Sequence, residues 1–218
     1  MGFRTGYVIT SLGFLSGVLF IASIYDFPLI YSTPFDPQSA IVAEQFYLSA
    51  YKGPGAIAAL LHGMMALGVV GLLAKLHRWS ETAKYFDGSC VALMVGAIAM
   101  YGVVIIPNLK LLADPANVAL LNRSSIRTER DAYIKHQGGT PPDFYTDPLT
   151  TEERISALRI IAATNTINMV LLAGIALLQA TEVWIEEKEK REEQKARMNA
   201  AKELSQQLKE SEGAKKDQ

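Results

Sequence analysis

The sequence predicts an all-α integral membrane protein, a four-transmembrane-helix bundle followed by a charged, largely helical C-terminal tail. Four stretches of 21 or 22 residues contain no Asp, Glu, Lys or Arg: 5–25, 53–74, 88–109 and 160–181. A 22-residue helix is roughly 33 Å long, which matches a hydrocarbon core of about 30 Å. The last 33 residues hold 18 of the 43 charged side chains. The chain therefore divides into a membrane domain, 1–185, and a tail, 186–218.

The connecting segments differ in length and composition. Loop 26–52 contains three prolines and a short predicted helix over 38–51, whereas loop 75–87 is short and basic. Loop 110–159 is interrupted by four prolines and is predicted to be irregular. Thr150 followed by Glu153 has the capping-box pattern, so one helix is expected to begin near Thr151. That helix continues through the fourth span into the tail, where Glu and Lys or Arg recur at i, i+4 spacing, as in Glu186–Lys190, Glu187–Arg191 and Glu193–Arg197.

Loop charge predicts the orientation of the chain in the membrane. The N-terminus, the 75–87 loop and the tail carry 1, 3 and 9 Lys or Arg residues, against 1 in loop 26–52. Positive charge marks the cytosolic side, and long loops such as 110–159 weigh little in that rule. Both termini are therefore expected in the cytosol, with loops 26–52 and 110–159 in the lumen. Asn122 then begins a glycosylation sequon on the lumenal side.

Small residues and amides within the spans predict how the helices pack. Small residues at i, i+4 spacing let membrane helices approach closely; they are Gly13 and Gly17, Ala59 and Gly63, Ala92 and Gly96. In the fourth span, four polar residues fall within an arc of about 100°: Asn165, Asn168, Gln179 and Glu182. An amide in hydrocarbon requires a hydrogen-bond partner, so this stripe must face protein. The expected partners are His62, Tyr101 or Asn108 within the bundle, or polar spans of another membrane protein.

The sequence contains no catalytic or cofactor-binding pattern. The charge-free spans lack the carboxylates and ion pairs of pumps, and three scattered histidines lack metal-ligand spacing, so neither an enzyme nor a cofactor nor a metal site is predicted. The net charge of −1 and the absence of a basic aromatic patch argue against nucleic-acid binding. Cys90 is the only cysteine, which excludes intrachain disulfides.

The last residues contain a candidate sorting signal. Lys215 and Lys216 stand fourth and third from the C-terminal end of the sequence. Lysines at these positions of a cytosolic terminus form the dilysine signal that a retrieval coat reads to return membrane proteins to the endoplasmic reticulum.

Several stretches resemble one family of membrane proteins. They are residues 61–63 and 68–75, residues 161–165 and 177–180, then Trp184 with Glu186 and Glu187, and Phe27-Pro28 after the first span. The likeness covers about residues 5–190. In these stretches the chain resembles the fungal endoplasmic-reticulum packaging chaperones of amino-acid permeases, the secretory-component proteins named for super high histidine resistance.

This resemblance implies a function. It implies a protein that keeps newly made amino-acid permeases from aggregating in the endoplasmic-reticulum membrane and favours their loading into COPII vesicles through its tail. The polar residues of the fourth span, together with His62, would then contact the transmembrane spans of clients. Two other classes remain open from the residues alone: a small transporter or channel subunit, which charge-free spans disfavour, and a tetraspan scaffold protein, which cysteine-free loops disfavour.

Overall fold

The computed structural model is built from helices in the part of the chain that it describes, residues 3–77 and 81–216, with side chains described over 5–77 and 84–202. The long helices are α1 (Phe3–Tyr31), α3 (Gly55–Leu76), α4 (Glu81–Met100) and α8 (Thr151–Lys216). Shorter elements connect them: α2 (Pro37–Tyr51), a π-helical segment (Tyr101–Ile105), α5 (Ile106–Ala113), α6 (Val118–Leu121) and α7 (Ser125–His136). The chain forms two compact units, Met1–Ala176 and Leu177–Gln218.

In the part of the chain that the structure describes, four helices are long and apolar enough to cross a membrane: Thr5–Tyr31, Gly55–Leu76, Lys84–Ala113 and Thr151–Lys202. The predicted all-α membrane bundle is therefore confirmed. The first helix differs from the expected one because it does not end at Tyr25. It continues through Asp26 and Pro28 to Tyr31, and Asp26 is buried there with only 1% of its surface exposed. A charged residue that finds partners inside the protein does not have to end a span.

The third long helix contains a local widening. The π-helical segment Tyr101–Ile105 stands directly before Pro107, which occupies the first turn of α5. Proline has no N–H to donate to the carbonyl four residues earlier, and its ring clashes with that carbonyl. A wider π turn accommodates this clash, and such turns are frequent at functional sites. Its consequence is that Tyr101 and Ile105 lie beside the cavity described below.

The connecting segments are more ordered than the sequence suggested. Helix α2 matches its prediction closely, since Pro37 occupies its first turn and Asp36 accepts a hydrogen bond from the Gln38 amide at 2.9 Å. The expectation of an irregular segment over 110–159 is wrong, because it contains α6 and α7. The capping box is confirmed: Glu153 Oε2 accepts from the Thr150 amide at 2.9 Å, and Thr150 Oγ1 accepts from the Glu153 amide at 3.3 Å.

The main apolar core lies at the loop end of the bundle, where α2, α5, α6 and α7 meet the start of α8. We call this region, residues 35–51 and 105–162, the loop cap. Arg130 pairs with Glu153 at 2.5 Å, and Arg154 pairs with Glu44. These pairs and the buried apolar side chains tie the two long connecting segments into one packed layer.

Helices α1 and α3 approach closely at positions other than the predicted ones. A Cβ on Gly68 would lie 2.5 Å from Ser11 Oγ, and one on Gly71 would lie 3.0 Å from Val8 Cγ2. Ser11 Oγ also donates to the Met64 carbonyl at 2.7 Å. By contrast, nothing lies within 4 Å of a Cβ built on Gly13, Gly17 or Gly63, so the contact expected there is wrong.

The segment between the second and third spans was expected to be a short basic loop over 75–87. Instead α3 continues through Lys75 and α4 already contains Asp87. The Lys75 Nζ and Asp87 Oδ1 atoms are 3.1 Å apart, and both side chains are at least nine-tenths buried. The pair links the end of α3 to α4. Separating the two helices here would leave a buried charge without its partner, which is costly in free energy.

In the unit Leu177–Gln218, α8 carries exposed side chains over most of its described length. Two of the three predicted i, i+4 pairs are present, Lys190–Glu186 at 3.3 Å and Arg191–Glu187 at 3.4 Å. Exposed pairs of this kind contribute little stability. The side chains of Lys215 and Lys216 lie outside the described residues.

Candidate functional site

A buried polar network links three distant parts of the chain. Asn165 Nδ2 on α8 donates to Asp26 Oδ2 on α1 at 3.0 Å and to Tyr47 Oη on α2 at 2.8 Å. Tyr47 Oη in turn donates to Asp26 Oδ1. Burial, reinforced by the neighbouring carboxylate, raises the pKa of Tyr47 far above its ordinary value, so the phenol keeps its proton and acts as the donor. The carboxylate of Asp26 is thus held by hydrogen bonds from both partners.

This network replaces the partners that the sequence suggested for Asn165. His62, Tyr101 and Asn108 were expected, but Asn108 Nδ2 donates instead to the Val104 carbonyl at 2.7 Å and to Ser125 Oγ at 3.1 Å. Asp26 was missed because the first span was bounded by the absence of charge. Its position directly after a charge-free window was the available signal.

His62 and Tyr101 form a second, looser polar pair. His62 Nδ1 lies 2.7 Å from the Ala58 carbonyl, and Tyr101 Oη lies 3.4 Å from His62 Nε2. If Nδ1 carries the proton and donates to Ala58, then Nε2 is the acceptor for the Tyr101 hydroxyl. The pair holds the π-helical segment of the third long helix against α3.

Two members of the network, Tyr47 and Asn165, lie with this pair on the wall of one cavity of about 380 Å³. All the long helices and α2 contribute to its lining, which contains no Asp, Glu, Lys or Arg side chain. Its apolar walls come chiefly from α1, α3 and α4. Its few polar groups are one imidazole, three phenols and two amides: His62, Tyr47, Tyr51, Tyr101, Asn165 and Asn168. A largely apolar cavity with a small number of convergent polar groups is the usual form of a binding site.

Asn168 is the unusual member of this wall. Its side chain is 5% exposed, and its Oδ1 accepts no hydrogen bond from any residue in the described ranges. A buried amide oxygen without a donor costs free energy, because it has left water without a replacement partner. Asn168 is therefore the residue of the predicted stripe with unused hydrogen-bonding capacity facing the cavity.

The other predicted residues lie elsewhere. Gln179 and Glu182 are buried, and Gln179 Nε2 donates to Glu182 Oε2 at 3.1 Å. Asn122 Nδ2 donates to the carbonyls of Val118 at 2.7 Å and Tyr145 at 3.0 Å. A glycan on that nitrogen would remove one of its two N–H groups. Because the folded loop uses both N–H groups of Asn122, a glycan would have to be attached before this loop folds. Glycosylation of Asn122 stays a prediction.

The described side chains contain no group of three or more His, Cys, Asp or Glu residues placed to hold a metal ion. The polar groups on the cavity wall are amides, phenols and one imidazole. Such neutral groups recognise hydrogen-bond donors and acceptors within an otherwise apolar partner.

The fold and the cavity define a class, a polytopic α-helical membrane protein with an uncharged intramembrane cavity. The family model described as "ER membrane protein SH3", a model of SHR3-type chaperones, matches residues 1–218. The chain belongs to this family, which confirms the resemblance read from the sequence. It is a multi-pass membrane protein of an endoplasmic-reticulum chaperone family, whose clients are membrane proteins. Comparison with curated proteins and with solved structures gave no match.

Proposed function

We propose that this protein keeps newly made amino-acid permeases from aggregating in the endoplasmic-reticulum membrane and promotes their loading into COPII vesicles. The observation that carries the proposal is the uncharged, mostly apolar cavity among the long helices of a chaperone-family protein. A chaperone for membrane segments needs a surface that accepts apolar side chains and a few polar ones, and it needs no catalytic group.

The physical chemistry of the clients supports this function. Transporters of this kind contain interrupted helices and polar groups near the middle of the membrane, which stay unsatisfied until the whole bundle has assembled. Hydrogen bonds between membrane helices average about 0.6 kcal/mol. A site that offers one or two such bonds with apolar contacts therefore holds an incomplete client and still releases it.

Among the predicted site residues we propose different roles. Asn168 and His62 lie on the cavity wall and are the candidates for client contact, whereas Asn165 holds Asp26 and Tyr47. Gln179 and Glu182 bond to each other farther along α8.

We further propose that both termini are cytosolic and that the tail, 186–218, contacts COPII coat components. Its dense mixed charge keeps it in water and supports a surface for soluble partners. Lys215 and Lys216 would then be available to the retrieval coat that returns the chaperone after a round of packaging.

The decisive experiment is deletion of the gene in its native cell, followed by fractionation of newly made membrane proteins. Amino-acid permeases should remain in the endoplasmic reticulum as aggregates, while a single-span glycoprotein and a soluble secreted enzyme leave normally. Restoring the full-length chain should restore permease export. Arrest of all three cargoes, or normal export of the permeases, would contradict the proposal.

A further inference from the structure

We infer that the cavity receives side chains from the middle of a client transmembrane segment, one of which donates a hydrogen bond to Asn168 Oδ1. This inference rests on the proposed function and specifies which part of the client is bound. Three features carry it: the unpaired acceptor, its depth in the membrane and the size of the cavity.

The unpaired acceptor specifies the chemistry of the occupant. Asn168 Oδ1 is buried on the cavity wall and is not satisfied by the described residues. Its preferred partner is a hydroxyl, amide or indole N–H donor. The absence of charged side chains from the lining makes a charged donor a poor fit, because its desolvation would not be compensated. The matching groups in a client are Ser, Thr, Asn, Gln, Tyr and Trp.

The depth of the acceptor separates a protein occupant from a lipid. Asn168 is eight residues inside the fourth charge-free stretch, which begins at Ile160. At 1.5 Å per residue this is roughly 12 Å, close to half of a 30 Å hydrocarbon core. Lipid hydroxyls and headgroups stay at the interface, whereas a transmembrane segment can present a donor at mid-depth. The occupant that fits this depth is therefore a protein span.

The size of the cavity limits how much of that span enters. One turn of an α-helix with its side chains is a cylinder about 10 Å wide and 5.4 Å high, or roughly 420 Å³. The cavity, at about 380 Å³, is therefore of the order of one such turn and far smaller than a whole span of about 20 residues. It takes a few side chains from one face of a client helix, while the rest of that helix stays outside.

The mouth lies between α1 and α3, beside the end of α2. The lining residues Val18, Ile57 and Leu60 are 38%, 55% and 53% exposed, and Tyr51 at the end of α2 is 40% exposed. The lining residues from α8 are buried. The lining on α1 begins at Phe14 and that on α3 ends at Met65, just before the close contact of Gly68 with Ser11. The two helices are thus clamped beyond one end of the cavity and leave its side accessible to a neighbouring helix.

A pair of adjacent substitutions tests the cavity directly. Ala58 lines it and Ala59 does not, although both are exposed on the same turn of α3. In microsomes containing the full-length protein, Ala58→Phe should reduce co-purification of a newly translated amino-acid permease several-fold, and Ala59→Phe should leave it unchanged. Asn168→Leu should reduce it about threefold to tenfold, as expected for one lost interhelical hydrogen bond, and Asn168→Gln should restore most of it.

Crosslinking tests the depth. A photoreactive residue at Leu61, on the cavity wall, should label the permease, whereas one at Val70, which is exposed on α3 outside the cavity, should not. With Leu61 replaced by cysteine, and with single cysteines placed along a client span, the yield of the disulfide between the two proteins should be highest in the middle third of that span. Lipid labelling alone from Leu61, capture that peaks at span ends, or equal co-purification by the two phenylalanine variants would overturn the inference. In each case, a wild-type chain that still co-purifies and exports the permease would leave the proposed function standing.

Discussion

Removing the Asn165 amide should destabilise the protein far more than removing the amide three residues farther along the same helix. Asn165→Leu keeps a similar side-chain volume but deletes the 3.0 Å bond to Asp26 and the 2.8 Å bond to Tyr47. Asn168→Leu deletes no hydrogen bond within the described chain and removes an unsatisfied acceptor. The two variants therefore form a matched pair in the same helix.

The magnitude follows from the partners. A hydrogen bond to a charged group is worth about 1.5–3 kcal/mol, and a neutral bond between membrane helices adds about 0.6 kcal/mol. Asn165→Leu should thus lower the free energy of unfolding by about 2–4 kcal/mol, because Asp26 stays buried with fewer donors. For a chain of this size this corresponds to a fall in Tm of about 4–16 °C. Asn168→Leu should leave the free energy of unfolding unchanged or raise it by up to about 1–3 kcal/mol, because it removes a buried acceptor that has no donor.

The assay is thermal unfolding of the purified full-length protein in one detergent, followed by helix content and by exposure of the buried Cys90 thiol. A double variant with Tyr47→Phe should show coupling, since all three groups share one network. Equal melting temperatures for the two asparagine variants, or strict additivity with Tyr47→Phe, would refute the assignment of Asp26 to this network.

Three further perturbations test other parts of the structure. Gly68→Leu should lower the free energy of unfolding by about 1–3 kcal/mol, because a Cβ at this position would lie 2.5 Å from Ser11 Oγ. Gly13→Leu should melt at the same temperature as the wild type. A similar fall in melting temperature for both variants would contradict the α1–α3 contact. Asn122→Asp should lower the free energy of unfolding by about 1–3 kcal/mol, because it removes both N–H groups that bond to Val118 and Tyr145. An unchanged melting temperature would contradict this structural role of Asn122. A shift in gel migration of the wild-type chain after glycosidase treatment would show whether Asn122 carries a glycan. Replacing Lys215 and Lys216 together by serine should shift the protein to the Golgi while the membrane domain still co-purifies its client, and unchanged retention would reject the dilysine signal.

The helices could be predicted from the sequence because each rests on local information. Charge-free stretches of about 22 residues match the thickness of a membrane and so indicate spans. The start of α8 is indicated by the capping box, whose two residues, Thr150 and Glu153, are only three positions apart. The family could also be recognised, since residues that carry the likeness lie in short segments of the second and fourth spans.

The polar network could not be predicted because its contacts are not local. Asn165 lies 139 residues from Asp26 and 118 from Tyr47, and no residue spacing encodes those pairings. The close helix contact was missed for a related reason. Gly13 and Gly17 have the same spacing as a packing motif, but spacing does not tell which face of α1 meets α3, and the contact uses Ser11 and Val8.

The helices of the 110–159 segment were missed because prolines were taken as interruptions throughout. Three of the four prolines, Pro141, Pro142 and Pro148, follow α7, and Pro115 precedes α6, so all four lie between elements. Asn117, whose side chain accepts from the Ala119 amide at 3.2 Å, was an overlooked helix start.

The position of Asp26 has a consequence for how this protein is made. The ribosome delivers the first helix, with its carboxylate, long before Asn165 emerges, and Tyr47 is the early partner available to it. Until the last long helix enters the membrane, the nascent chain carries an incompletely satisfied polar group in its own first span. A chain that stops before α8 should therefore be recognised by quality control and degraded. The last long helix therefore completes the hydrogen bonds of a polar group that the first helix brings into the membrane.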